Sequence, residues 1–322
     1  MVPGDVTTLA LAYAADLAIG DPPAMPHPIR GMGAAIAWGE RILRAVMPWE
    51  RAAGVVLVSA VVGGSTVATS WLLKFCSAQS PWAGLAMAAT LLFTCLSIRD
   101  LARESWKVFS ALEAGDVPLA RRRVARIVGR DTQQLDRAEI VRAALETIAE
   151  STLDGILAPL FWFVIGGVPG AVAYKAINTL DSMVGHRSAR YIRFGWAAAK
   201  LDTLANWLPA RWSAPVFTLA AWWCRFRVRD SWRAAWVQPD GTVPNAGIPE
   251  GALAGALGVR LGGTNWYQGQ PVTMPFLGAP NQPLEPARIR DAIRLMYAAS
   301  FVGWGMALGA VALKSLWFAS LG

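Results

Sequence analysis

An all-α fold, a polytopic membrane bundle whose cytoplasmic helical and loop segments form the site, is what this chain of 322 residues predicts. Three observations predict it. Hydrophobic residues make up 54% of the chain and charged residues 16%, a balance unlike that of an ordinary soluble globule. Sixteen tryptophans suit a chain that meets membrane–water interfaces. Apolar stretches approaching the ~20 residues that a bilayer demands recur between arginine-rich segments.

Residues 1–322 read as one membrane-embedded domain. The first apolar stretch, 6–19, is short and carries Asp16, so it is either a marginal span or a buried helix. Clear spans follow at 52–75 and 81–98, joined by a short connection that carries Lys74. Arg30, Arg41, Arg44 and Arg51 precede this hairpin; Arg99, Arg103, Lys107 and Arg121 to Arg123 follow it. The positive-inside bias therefore places both flanks in the cytoplasm. The segment 99–150 predicts water-facing helices, with a capping box at Asp136 and Glu139. After it, Ile140, Ala144 and Ile148 share one face, and Glu139, Arg142, Glu146 and Glu150 another.

The apolar stretch 156–177 is interrupted by Gly166-Gly167-Val168-Pro169-Gly170, as a re-entrant hairpin or a bent buried helix pair would be. The re-entrant reading is preferred, because a simple crossing would turn the polar block at 178–187 away from the cytosol. Residues 212–224 are too few to cross alone. The segment 238–286, rich in Gly, Pro and Asn, predicts long functional loops. A last span is expected at 292–321. The polar segments 99–155, 178–211 and 225–291 are those expected to build the site.

A net charge of +8 suits anionic lipid headgroups and anionic substrates. The arginines lie between apolar segments without aromatic interleaving, which argues against nucleic acid. Cys76, Cys95 and Cys224 form no CxxC pair and read as reduced, packed thiols. The beginning of the sequence lacks the pattern of a cleaved secretory signal, so the first apolar stretch is expected to be retained.

Two constellations carry chemistry. Glu146, Glu150 and Asp154 stand at i, i+4 and i+8, one stripe of a continuous helix, where like charges call for a compensating cation. Mg²⁺ is the expected ion, since it takes one or two carboxylates along with substrate phosphates and water. A solvated acidic face balanced by Arg142 is the competing reading. The second constellation is the polar block Asn178-Thr179-Leu180-Asp181-Ser182-Met183-Val184-Gly185-His186-Arg187. Asn178 and Asp181 lie one turn apart with Ser182 adjacent, while Lys175, Arg187 and Lys200 supply cations for phosphate. A polar interhelical network is the alternative. A proline-rich loop presents Asp21, His27 and Arg30. Asn245 to Glu250 leads into a glycine-rich run able to cradle an anion, although no Walker motif is present.

Five motifs, taken in order, resemble one family. They are Gly20-Asp21-Pro22-Pro23 with Pro26-His27-Pro28, Val128-Gly129-Arg130-Asp131-Thr132, Glu146 to Pro159, Ala176 to Gly185, and Pro244-Asn245-Ala246-Gly247. Over nearly the whole chain they resemble the cobalamin-biosynthesis membrane proteins CobD/CbiB, the adenosylcobinamide-phosphate synthases. Two departures are Leu153, where the family commonly has serine, and His186, where it often has an aromatic residue.

The resemblance implies a multi-pass enzyme of the cell inner membrane with its site facing the cytoplasm. Such an enzyme joins adenosylcobyric acid to (R)-1-amino-2-propanol or its O-phosphate at the expense of ATP. The expected metal ligands are Glu146, Glu150 and Asp154, holding Mg²⁺ with ATP. Asp181, Asp202, Asp21 and His27 are the catalytic candidates, Asp202 or Asp21 taking the proton from the attacking amine. Lys175, Asn178, Ser182, Arg187, Lys200, Arg130, Asn245 and Glu250 are the candidates for binding substrate or nucleotide. Partners implied are the corrinoid, the amine, ATP and membrane lipid, with a homo-oligomer or a complex with late cobalamin-pathway enzymes.

Two rivals come from other classes. A Mg-dependent membrane transferase of polyprenyl type would need paired aspartate motifs that are missing here. A corrinoid-pathway scaffold or transporter would place its ionisable residues at mid-membrane.

Overall fold

The structure is a computed structural model that describes residues 4–21, 28–186, 188–237 and 245–320. It is almost wholly helical, as expected for the fold class, with one small β-hairpin. Among the described residues, four stretches are long and apolar enough to cross a membrane: Glu50–Gln79, Pro81–Glu113, Arg137–Val184 and Ala287–Trp317. Three contain the clear spans of the sequence. The fourth contains the interrupted stretch.

The chain divides into two compact units, passing between them at 97/98, 153/154, 206/207 and 303/304. The first unit holds α1 (Asp5–Ile19), α2 (Pro28–Val46), α3 (Glu50–Gln79) and α4 (Pro81–Phe93). The α4 start follows from Ser80, whose hydroxyl accepts from Trp82 N at 3.2 Å, and from Pro81 at the first helical position. Later the chain returns as a π-helical turn (Leu153–Leu157), α8 (Ala158–Val184) and α9 (Trp196–Ala205). α8 breaks where the Gly/Pro run predicted, because Gly167 adopts φ 62, a left-handed conformation open to glycine. Ile36, Leu57, Val61, Leu180, Val184 and Phe194 form one apolar cluster between α2, α3 and α8. Glu40 pins the segment after α8, accepting from Arg190 Nη2 at 3.0 Å and from Arg44 Nε at 3.0 Å.

The second unit holds α5 (Ile98–Glu113), α6 (Val117–Val124), α7 (Arg137–Thr152), α10 (Trp207–Trp223), α11 (Val228–Trp236) and α12 (Gly247–Leu257). It also holds β1 (Arg260–Tyr267) and β2 (Gln270–Gly278). The helix α13 (Ala287–Ser320) starts in this unit and ends in the first. The capping box at Asp136 and Glu139 is present in both directions.

Two expectations are corrected here. The segment 238–286 is not one long loop: α12 is buried along its length, and β1 and β2 pair antiparallel. Gln268 (φ 51) and Gly269 (φ 76) make the turn between the strands, the paired left-handed geometry that suits a two-residue hairpin. The second correction concerns α7, which is not broadly water-facing. Ile140, Ala144 and Ile148 are buried as expected, but so are Arg142 and Glu146 on the face read as polar.

Candidate active site

A π-helical turn interrupts the helix that carries the expected carboxylates. A continuous helix would keep Glu146, Glu150 and Asp154 on one stripe. The i→i+5 turn at Leu153–Leu157 inserts an offset just as Asp154 is reached. Glu146 and Glu150 belong to the second unit, whereas Asp154 opens a segment of the first. Among the described residues, no three His, Cys, Asp or Glu side chains are gathered to hold an ion between them.

In the first unit, Asp154 Oδ2 accepts from Asn178 Nδ2 at 3.2 Å, and its Oδ1 lies 3.2 Å from the Tyr174 hydroxyl. The same hydroxyl stands 2.9 Å from Asn206 Oδ1. Asn206 in turn donates from Nδ2 to Asp202 Oδ2 at 3.1 Å. Asp154, Tyr174, Asn206 and Asp202 are therefore linked in one polar chain, with Asn178 beside it. Asp202 Oδ1 is buried with no hydrogen-bond partner.

Burial, followed by the nearby charges of Asp154 and Asp181, pushes the Asp202 carboxyl up to about 8; the amides of Asn206 and Asn178 pull it down. Like charges near a buried group are what raise it.

Other predicted residues join the same unit. Asp21 and Lys175 both lie within electrostatic reach of the buried Cys95. Two residues further on, Ser97 N donates to Gly155 O at 3.1 Å, tying that turn to the one bearing Asp154. His186 acts on Asp181. Ser182 turns inward on its own helix, its hydroxyl donating to Asn178 O at 2.9 Å. Lys200 is exposed on α9. His27 and Arg187 lie outside the described residues. Tyr174 and Asn206 were missed by sequence reasoning, although a signal existed: each is four residues from a predicted site residue, Asn178 and Asp202, and so shares its helix face.

The second unit gathers Arg130, Glu146, Glu150, Asn245 and Glu250 differently. Glu146 is buried between two arginines. Its Oε2 takes a short charge-assisted bond from Arg130 Nη2, and its Oε1 accepts from Arg142 Nη1 at 3.3 Å and from Gly262 N at 2.9 Å. Both arginines also bond Asn265 Oδ1, at 2.6 and 2.9 Å, and Arg142 reaches Gly262 O at 2.7 Å and Thr264 O at 3.1 Å. This network clamps the hairpin to α7. Burial, with Glu146 and then Glu150 nearby, pushes the Glu250 carboxyl well above the usual range, while Arg130 opposes the shift. Asn245 is buried at the start of α12. The Glu146 carboxylate is thus matched by cations.

Comparisons with known proteins agree with the motifs. The family model for CobD/Cbib proteins matches residues 9–296. A Geobacter metallireducens protein named cobalamin biosynthesis protein CobD is 48% identical over 287 residues, covering 88% of this chain and 90% of its own. Proteins of the same name from Pelobacter propionicus and Klebsiella pneumoniae are 44% and 42% identical, covering 97% and 93% of this chain and 97% and 95% of theirs. No solved structure matches. With a match that spans the π-helical turn, the Asn178 block and the hairpin alike, the chain belongs to the CobD/Cbib protein family.

Proposed function

We propose that this protein is a cobalamin-biosynthesis enzyme of the inner membrane, its site open to the cytoplasm. It ligates adenosylcobyric acid to 1-amino-2-propanol or its O-phosphate with ATP. The observation that carries this reading is the buried Asp202 Oδ1, which has no hydrogen-bond partner among the described residues and belongs to a carboxyl raised by burial and by the nearby Asp154 and Asp181. Relatives named for cobalamin biosynthesis supply the pathway.

Amide formation from a carboxylate requires activation. The substrate carboxylate takes the terminal phosphoryl group of ATP, releasing ADP and leaving an acyl phosphate. The amine then attacks the acyl carbon, the C–O bond to phosphate breaks, and phosphate and one proton leave. Catalysis of the first step is mostly positioning and charge neutralisation.

The residues fit a nucleotide-borne Mg²⁺. Asp202 Oδ1 is a buried acceptor without a partner, and the ion takes one or two carboxylates along with phosphate and water rather than a protein cage. Asp202 and Asp154 would hold it, and it would supply charge neutralisation at the transferring phosphate. Tyr174, Asn178 and Asn206 fix the orientation of these two carboxylates. Lys175 and Lys200 are the cations of this unit assigned to phosphate. The proton that the nitrogen loses as the free amine attacks passes to Asp202 or Asp21, whichever carboxylate is left unengaged.

The test is a coupled assay on the membrane-embedded chain with adenosylcobyric acid, each amine and Mg–ATP, following ADP and the amide product by mass spectrometry. ADP release that needs both corrinoid and amine, with the amide appearing in equal amount, is expected. Nucleotide left intact while the corrinoid and amine are present would overturn the ligase reading.

A further inference from the structure

The second unit contains a cavity of about 770 Å³ that plays no part in the chemistry above. α5 contributes Arg99, Arg103 and Lys107 to its lining, four residues apart and so on one helix face. Arg123 of α6 faces them, and Trp106 and Tyr297 form aromatic walls with alanines of α5. From the geometry we propose that this cleft binds the headgroup of an acidic phospholipid, with the acyl chains lying against Trp106 and Tyr297.

Four features favour that occupant. First, the cleft's volume falls within the roughly 300–1,000 Å³ of small-molecule sites. Second, the lining joins the charged helix α5, which follows the apolar α4 within the membrane-length stretch Pro81–Glu113, to Tyr297 near the start of α13, whose residues Ala287–Trp317 are another such stretch. Basic pockets between such helices are where acidic headgroups bind. Third, the charges are complementary. The lining has four cations and one carboxylate, Asp116, whose Oδ1 already caps α6 by accepting from Leu119 N at 2.8 Å. Arg103 also pairs with Asp100 and Lys107 with Glu104, whereas Arg123 makes no ion pair among the described residues. An anion therefore meets Arg123 first, and the paired cations on α5 border it. Fourth, the lining holds no Asn or Gln, and its one carboxylate, Asp116, is already engaged as the cap of α6. The positive-inside reading also puts this arginine cluster beside the cytoplasmic leaflet, the one rich in acidic lipid.

The experiment is native mass spectrometry of the full chain in neutral detergent, titrated with phosphatidylglycerol, cardiolipin or phosphatidylcholine, with ATP and inorganic phosphate as competitors. Acidic lipid should bind at least tenfold more tightly than phosphatidylcholine. Arg123→Gln should weaken it about fivefold, and the triple variant Arg99→Gln/Arg103→Gln/Arg123→Gln should abolish the preference. Should the triple variant fail to fold, as judged by lost helicity, Arg123→Gln and Trp106→Ala carry the test, each expected to weaken acidic lipid alone. Equal binding of acidic and neutral lipid overturns the proposal, as does undiminished binding in Arg123→Gln. Displacement by millimolar ATP or phosphate overturns it too, by identifying a site for soluble phosphate esters.

Discussion

Glu146 and Asp202 are both acidic side chains withdrawn from water, and their surroundings differ in one respect. Glu146 is met by Arg130, Arg142 and a backbone amide, so its charge is matched inside the protein. Asp202 is met by two amides and by two further carboxylates. The first arrangement holds a hairpin in place. The second sets Asp202 beside carboxylates that raise it, the kind of perturbed group on which the proposed chemistry is built. Similar residue types thus hold a hairpin in one unit and supply the proposed site in the other.

The largest effect expected from breaking this contrast lies at Glu146. Glu146→Leu leaves two buried guanidiniums without their carboxylate and should destabilise the fold by about 3–5 kcal/mol, read from thermal unfolding in detergent. Asp202→Asn should do the reverse. The protein should fold at least as well as the native chain but lose ligase activity by about a hundredfold or more, as kcat/KM. Tyr174→Phe removes the hydroxyl between Asp154 and Asn206, so a loss of about 1 kcal/mol and a rate drop near tenfold should follow.

A subtler effect concerns pH. The Asp202 carboxyl titrates near 8 in the fold against about 3.9 in an unfolded chain. The folded state therefore favours the protonated form, and stability drains away as pH rises between these two values. Asp202→Asn should match the native melting temperature near pH 4 and exceed it progressively up to pH 8. An equal gap at every pH would show that burial of this group is not felt.

Much of the fold is legible in the chain because composition and punctuation act locally. The spans around α3 and α13 follow from apolar length, the start of α7 from Asp136 and Glu139, and the break in α8 from Gly167 and Pro169. The hairpin is not legible in the same way. Its strands carry Gly262, Gly263 and Pro271 and turn on Gln268-Gly269, a composition that reads as loop until Arg142 of α7 and Arg130 ahead of that helix hold it.

The candidate site is legible in type but not in grouping. Asn178, Asp181 and Asp202 stand out as polar residues beside apolar helices. The division of Glu146 and Glu150 from Asp154 between two units is hidden, because helical spacing alone does not show the π-helical turn at Leu153–Leu157. Tyr174 and Asn206 are hidden for another reason: a tyrosine in an apolar helix reads as packing until its hydroxyl finds carboxylates.

The most direct test of the proposal that the Asp202 carboxyl engages the nucleotide is binding of Mn²⁺–ATP, followed by the relaxation enhancement of bound Mn²⁺. Two substitutions are compared, one in each unit: Asp202→Asn and Glu250→Gln. The latter is a mild change, because the two side chains share a shape and burial already disfavours the charged form of the Glu250 carboxyl. Binding should be lost in Asp202→Asn and retained in Glu250→Gln; retention in the first with loss in the second would contradict the account.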